Sequence, residues 1–274
     1  METDLVFTFV LGCLFFPISY MIIFNLLKRY NYYALSDTDI YVISEQLVSI
    51  IQAFLACVSG AIIVYNCQND VLRDKYWLTN SYAIFGTPYF YYDVGIMIMI
   101  YSHLHPTPED ISWYQMSLCL LRDHSLMLLH HIVFPIIYLP VIVWWRRDQG
   151  DFFVGCLYLI ELAVPALSLR IVLRQLQMKD TKLDIINGLV LIVTWLGCRV
   201  LIFPFMYWVY GRQCGAPLWN VFMLIPKKCN IGCLLLIVFQ IYWLVVMLKI
   251  AFKTLFSSAK TFNHTNKFYM MKQS

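Results

Sequence analysis

Charged side chains are scarce in this sequence of 274 residues, where Asp, Glu, Lys and Arg together make up only 13%. A soluble domain carries about 25% charged residues, so these charges are too few to cover a water-facing surface. Hydrophobic residues reach 61% and aromatic residues 17%. The composition therefore excludes an ordinary soluble protein and is typical of a chain that crosses a lipid bilayer.

Ligands for metal chemistry are also scarce. The six histidines are too few for the several histidine clusters of a di-iron lipid desaturase or hydroxylase, and the nine cysteines are scattered without a metal-type pair. The net charge of +4 suits a membrane leaflet with anionic lipids and does not indicate nucleic acid as a partner. We expect no metal and no bound cofactor.

Long apolar runs predict about seven transmembrane helices, because a helix needs roughly 20 apolar residues to cross the hydrocarbon. The ends of the second and third runs are less clearly defined, so six or eight spans stay open as alternatives. The fold class expected is an all-α integral membrane protein whose helices surround a central, lipid-accessible cavity. The predicted spans are residues 5–27, 40–65, 78–102, 124–145, 152–173, 185–210 and 230–256.

The two ends of the chain predict an orientation. Glu2 and Asp4 precede the first apolar run, and Lys28 and Arg29 follow it, which favours a signal anchor with its N-terminus outside the cytosol over a cleaved signal peptide. Seven spans then put the C-terminus in the cytosol. The loops on that side carry more Lys and Arg than the opposite loops, as the positive-inside rule expects.

Three ionisable residues within the spans form a candidate polar cluster, namely Asp93, Glu161 and Arg199. A charge at membrane depth is costly, so such residues face the bundle interior and often mark a site. The arginine would keep the two carboxylates ionised. Two interpretations stay open: the cluster is the polar floor of a pocket for lipid headgroups, or it only fixes the packing of helices.

The adjacent residues His130 and His131 are the candidate catalytic groups. Imidazole is the side chain best suited to moving a proton near neutral pH. Neighbours on a helix point about 100° apart, so the two histidines do not readily serve one metal ion. A hydrogen-bonded helix contact without catalytic function is the alternative.

Five sequence motifs, in this order and spacing, resemble the TLC-domain family, which includes the ceramide synthases. The resemblance runs from about residue 36 to 256, and its last three motifs are most similar to the TLC domain-containing protein 3 branch. We therefore expect three segments, an N-terminal anchor and loop (1–35), a TLC domain (36–256) and a cytosolic tail (257–274). The motifs are 88–93 (PYFYYD), 129–131 (LHH), 150–162 (GDFFVGCLYLIEL), 198–204 (CRVLIFP) and 207–212 (YWVYGR).

The resemblance implies an activity and a place in the cell. Ceramide synthases join a fatty acyl-CoA to a sphingoid base through an essential histidine pair, which would correspond to His130 and His131. Acyl-CoA is then a co-substrate, and membrane lipids are the partners, with a homo- or hetero-oligomer left open. The endoplasmic reticulum is the expected membrane, with the Golgi apparatus and plasma membrane as alternatives.

One departure from the synthase pattern supports a second hypothesis. Ceramide synthases carry a further stretch that reads His-Asp, two residues, then Asp, whereas the matching region here reads Glu161-Leu162-Ala163-Val164-Pro165. A non-catalytic lipid-binding protein, or a regulator of membrane lipid composition, is therefore the alternative to an acyltransferase. A transporter or receptor is a third class, which the mid-span histidine pair does not favour.

The predicted orientation has a direct test at Asn263, the asparagine of the only N-glycosylation triplet in the sequence. Because we expect this triplet in the cytosol, the chain expressed in mammalian cells should show no mobility shift after endoglycosidase treatment. A control variant with an acceptor triplet placed in the loop at residues 67–77 should be glycosylated. A glycan on Asn263 would reverse the orientation.

Overall fold

The computed structural model describes residues 2–31, 34–104, 112–123 and 125–271, with side chains described up to residue 253. Its described residues form helices, turns and loops, without β-strands. Seven helical segments are long and apolar enough to cross a membrane, which confirms the predicted all-α, seven-span class. The ends of these segments differ from the predicted ones by three residues or fewer. The central cavity stays a prediction.

The described chain contains eleven α-helices, namely α1 (Glu2–Arg29), α2 (Asp37–Asn66), α3 (Leu78–Leu104), α4 (Trp113–Asp123), α5 (Ser125–Pro140), α6 (Asp151–Tyr158), α7 (Val164–Gln175), α8 (Lys182–Trp195), α9 (Ile202–Gln213), α10 (Leu218–Leu224) and α11 (Lys227–Met271). Nine of them build the spans, and α4 and α10 do not. The spans are α1, α2, α3, nearly all of α5 with its extension, α6 with α7, α8 with α9, and most of α11.

Prolines explain three interruptions of regular α-helix inside the spans. Pro165 lacks the N–H that would bond to the carbonyl of Glu161, and a 3₁₀ segment, Leu159–Ala163, lets the N–H of Val164 bond to that carbonyl instead. π-helical turns occupy Val141–Trp145, directly after Pro140, and Leu196–Val200, shortly before Pro204. Such local adjustments keep the backbone satisfied where no water can reach it.

The chain divides into two compact units, Met1–Asp184 and Ile185–Ser274. In the first unit α1 and α2 both pack against α3, and α2 also packs against α6 and α7. Phe16, Tyr20, Val48 and Tyr89 form the buried core between α1, α2 and α3. Ser36 starts α2 with a capping box in which Asp39 reciprocates, so the entry to the second span is fixed locally.

Close approach of α2 and α6 depends on glycine. A Cβ atom added to Gly60 would lie 2.6 Å from the carbonyl oxygen of Gly155, a distance that real side chains do not adopt. Small residues that let two backbones approach are typical of helix contacts in membranes. The first unit thus combines an aromatic core around α3 with a glycine contact at α6.

In the second unit, side-chain bonds tie α11 to the preceding helices. The indole N–H of Trp195 donates to the carbonyl of Gln240 at 3.0 Å. The hydroxyl of Tyr207 donates to Oδ1 of Asn230 at 2.7 Å. Both are polar groups near the protein interior, where an internal partner replaces water.

An arginine clamp joins the loop after α2 to the loop before α6 in the first unit. Arg146 pairs with Asp151 and donates to Oδ1 of Asn80 at 2.6 Å and to the carbonyl of Ile142 at 2.7 Å. The other oxygen of Asp151 accepts from the backbone N–H of Tyr76 at 2.8 Å. Both partners of the pair are buried, so this network fixes one end of the bundle.

The thiol of Cys67 lies within electrostatic range of Asp151 and Arg146, so its reactivity can serve as a probe of the arginine clamp. It is fully buried, and its pKa is raised to about 11, mainly by burial and further by Asp151 and Asp74, while Arg146 acts in the opposite direction. At neutral pH the thiol is therefore protonated and shielded. Both properties suppress its reaction with alkylating reagents.

We expect Arg146→Ala to destabilise the protein by about 3–5 kcal/mol, because it leaves Asp151 buried without its cation. The melting temperature in detergent should fall, and peptide mass spectrometry should detect alkylation of Cys67. Lys75→Ala is the control: Lys75 pairs with Asp148 at 3.9 Å with both side chains more than half exposed, so stability should hardly change. Equal melting temperatures for the two variants would contradict the clamp.

Candidate functional site

A stripe of buried polar side chains runs along α2. Glu45, Ser49 and Gln52 follow one another at spacings of four and three residues and therefore share one helix face. All three are buried, although they lie in a membrane span. Polar groups at that depth need partners inside the protein.

Helix α3 supplies partners for two of these side chains. The side-chain amide of Gln52 donates to the hydroxyl of Tyr82 at 3.4 Å, and that hydroxyl donates to the backbone carbonyl of Gln52 at 3.2 Å. The hydroxyl of Tyr89 donates to Oγ of Ser49 at 2.8 Å. Ser49 in turn donates to the carbonyl of Glu45 at 3.0 Å. Because the two helices are antiparallel, the next position of this column places Asp93 within electrostatic range of Glu45.

Asp93 also contacts one member of the predicted catalytic pair. Nδ1 of His131, on α5, lies 3.1 Å from Oδ2 of Asp93, and the exposed fractions of the two side chains are 12% and 2%. The distance is that of a hydrogen bond, but the geometry at Nδ1 is not that of a formed hydrogen bond. The structure therefore brings two of the five predicted site residues together.

His130 takes a different environment from its neighbour. Its side chain is exposed, while that of His131 is largely buried. The two rings are 5.4 Å apart and nearly perpendicular, and the ring of Phe90 lies beside both. The angular separation of adjacent helical residues thus assigns the buried acid contact to His131 alone.

The structure describes the surroundings of the two other predicted residues, Glu161 and Arg199, separately. Glu161 is half-buried in the 3₁₀ segment of the first unit, within electrostatic range of Tyr82 and Tyr138. Arg199 lies in a π-helical turn of the second unit, where its guanidinium covers the ring of Trp195 at 4.4 Å. The cluster of Asp93, Glu161 and Arg199 stays a prediction.

Glu45 is the residue that sequence reasoning did not select for the site. It is 7% exposed, accepts a hydrogen bond from Nε2 of Gln46 at 2.9 Å, and interacts with Asp93. A signal was available in the sequence, because Glu45, Ser49 and Gln52 already showed helical spacing within an apolar run. What the sequence did not indicate was which face of α3 would meet this stripe.

The site contains the elements of acid–base chemistry. A carboxylate beside one imidazole nitrogen holds the ring in one orientation and stabilises the cation that forms when the other nitrogen takes a proton. Measured along the helix axes, Glu45, Asp93 and His131 lie about 12, 16 and 9 Å from the nearest ends of α2, α3 and α5. All three residues therefore lie well inside their helices. Among the described residues no group of three or more His, Cys, Asp and Glu side chains could hold a metal ion.

Helices and site together define a multi-pass, all-α membrane protein with an acid–histidine pair at membrane depth. The family model of the TLC domain matches residues 43–249, more than half of the chain. The chain belongs to the TLC-domain family, which confirms the resemblance. No solved structure matches it. The bounds predicted for the anchor, TLC domain and tail stay predictions.

Removal of either partner of the bond between Ser49 and Tyr89 tests the polar column. We expect Ser49→Ala to cost about 1–3 kcal/mol of stability, because it leaves the buried hydroxyl of Tyr89 without an acceptor. Tyr89→Phe should cost less, since Ser49 keeps its bond to the carbonyl of Glu45. Thermal unfolding of both single variants and the double variant measures the difference, and the reverse order of stability would contradict the column.

Proposed function

We propose that this protein is an acyltransferase of the ceramide synthase type, which joins the acyl group of a fatty acyl-CoA to the amine of a sphingoid base. The observation that carries this proposal is the contact between His131 and Asp93, both buried at membrane depth on different helices. Membership of the TLC-domain family, which acts on or with lipids, supports the substrate class.

The proposed reaction needs one proton acceptor. A sphingoid amine is protonated in water and must lose a proton before its nitrogen can attack the thioester carbonyl. His131 takes this proton, the new C–N bond forms, and the nitrogen loses its second proton to water. The C–S bond then breaks, and His131 gives its proton to the leaving CoA thiolate. An acyl group carried first on a histidine is the alternative route, in which imidazole acts as nucleophile.

Asp93 is proposed to position His131 and to stabilise its protonated form. The exposed ring of His130 is the group available to contact substrate or to carry the acyl group. On the cytosolic side of the predicted topology, Arg174 and Lys179 are the candidate partners for CoA phosphates, since phosphate oxygens bind basic side chains. Glu161 and Arg199 are proposed to support the polar environment of the site.

A second function, binding of lipid without catalysis, is favoured by one specific feature. In the region that matches the second synthase motif, Glu161-Leu162 stands in place of the His-Asp pair and Pro165 in place of the further Asp. Pro165 also sets the 3₁₀ geometry of this region. A lipid-binding protein or a regulator of membrane lipid composition would keep the bundle and its polar interior without needing that motif.

The remaining assignments follow from the same proposal. The protein is proposed to act in the endoplasmic reticulum, with the Golgi apparatus and plasma membrane as alternatives, and to expose its C-terminus to the cytosol. Membership of the TLC domain-containing protein 3 branch is proposed from the motifs at 150–162, 198–204 and 207–212. Its partners are membrane lipids, and the choice between homo- and hetero-oligomer stays open.

Acyl transfer is tested with microsomes that contain the chain, a fatty acyl-CoA and sphinganine. We expect His131→Ala to reduce N-acylation by about 10²–10⁴-fold, the usual contribution of acid–base catalysis, and replacement of both histidines to abolish it. His103→Gln is the matched control, because His103 is exposed near the end of α3 and should leave turnover unchanged.

Two outcomes would contradict the acyltransferase. One is full activity of the double histidine variant at equal protein level. The other is a purified parent protein that retains a bound lipid but turns over no acyl-CoA, which would instead support the lipid-binding function.

A further inference from the structure

Two buried acidic side chains from different helices lie within electrostatic range of each other inside the first unit, and among the described residues neither forms an ion pair with a lysine or arginine. Glu45 of α2 and Asp93 of α3 are 7% and 1% exposed. The amide of Gln46 donates to Glu45, the imidazole of His131 lies beside Asp93, and tyrosine hydroxyls lie within electrostatic range of both carboxylates. A buried pair of carboxylates requires a compensating positive charge or a bound proton.

Unpartnered polar atoms cluster around this acidic pair. Oδ1 of Asp93 and the hydroxyls of Tyr20 and Tyr92 are buried without a hydrogen-bond partner among the described residues. The tyrosines belong to α1 and α3, and both lie within electrostatic range of Glu45. Buried polar atoms are nearly always satisfied, so unsatisfied atoms from separate helices at one location point to a ligand with several hydrogen-bond donors.

Aromatic rings surround the same location. The ring of Tyr92 lies 6.1 Å from that of Tyr20, 6.2 Å from that of Tyr89 and 6.5 Å from that of Phe16. Faces of aromatic rings attract cations, and cages of such rings recognise ammonium groups. The surroundings therefore favour a positively charged ligand over a neutral one.

An ammonium group matches these features better than water does. It supplies three N–H donors for carboxylate oxygens and tyrosine hydroxyls, and its charge compensates one carboxylate of the pair, so that the pair needs only one bound proton besides. A water molecule can satisfy hydrogen bonds but supplies no positive charge. His131, next to the other oxygen of Asp93, would then lie beside the ammonium group.

We infer that Glu45 and Asp93, with Tyr20 and Tyr92 beside them, bind the primary ammonium head of a long-chain amine and select it against an uncharged head. The inference rests on the proposed function, in which the acyl acceptor is such an amine, and it adds the residues that recognise it. Glu45 is thereby a binding residue on the acceptor side of the site.

The first experiment compares two ligands on the purified parent chain in nanodiscs. The probes are sphinganine and the matching lipid in which a hydroxyl replaces the amine. We expect sphinganine to bind at least about tenfold more tightly, because hydrogen bonds between charged groups are stronger than neutral ones. Sphinganine should also raise the melting temperature more at equal concentration.

Variants then test whether these residues cause the preference for the amine over the alcohol. Glu45→Gln keeps the shape of the side chain and should reduce the preference for the amine about tenfold or more, and Tyr20→Phe should reduce it less. Asp184→Asn is the matched control, because Asp184 is a buried carboxylate of the same unit that lies 4.0 Å from Arg170. Its variant should keep the parent's selectivity.

Equal affinity of the parent for amine and alcohol would overturn the inference, whatever the variants do. The inference would also be overturned if sodium ions stabilise the parent chain and sphinganine does not displace them, since the acidic pair would then hold an alkali cation. If Glu45→Gln fails to fold, the comparison on the parent chain still decides.

Parallel turnover assays separate this inference from the proposed function. Amine selectivity without acyl transfer refutes the acyltransferase and keeps the ammonium site. Acyl transfer by a parent that binds amine and alcohol alike keeps the acyltransferase and refutes the ammonium site.

Discussion

Hydrocarbon offers no water to a polar atom, so each polar group inside the bundle needs a partner within the protein. The 3₁₀ segment before Pro165 meets this requirement for the backbone, because it returns a bond to the carbonyl of Glu161. The bonds from Tyr82 to Gln52 and from Tyr89 to Ser49 meet it for side chains. Much of the specific contact between α2 and α3 follows from this single constraint.

Two buried acidic sites of the first unit meet that constraint to different degrees. Asp151, at the loop end of the bundle, has an arginine and a backbone N–H as partners. Asp93, deeper in the bundle, has a second carboxylate nearby, one imidazole and an oxygen without a hydrogen bond. The first arrangement stabilises the fold, whereas the second leaves a charge that a ligand or a proton must compensate. This difference supports a structural role for Asp151 and the role proposed for Asp93.

The proposed chemistry uses the incomplete site. His131 lies beside the carboxylate of Asp93, His130 is exposed, and Glu45 lies within electrostatic range of Asp93. The proposed proton acceptor and substrate contact both lie on α5, and the proposed cation-binding carboxylates lie on α2 and α3. The family relation supplies the lipid context. The substituted motif at 161–165 marks where this chain differs from the synthases.

Hydropathy alone determined the seven spans and the helical class, because the length and apolar character of each run depend only on local sequence. It also selected Asp93, His130 and His131, since an ionisable residue in an apolar run stands out without a fold. Only the tertiary structure decided that His131 rather than His130 meets Asp93, and that Glu45 lies near it. The physical reason is that helix rotation and register depend on contacts such as those of Tyr89 and Gly60, which bring together residues far apart in the chain.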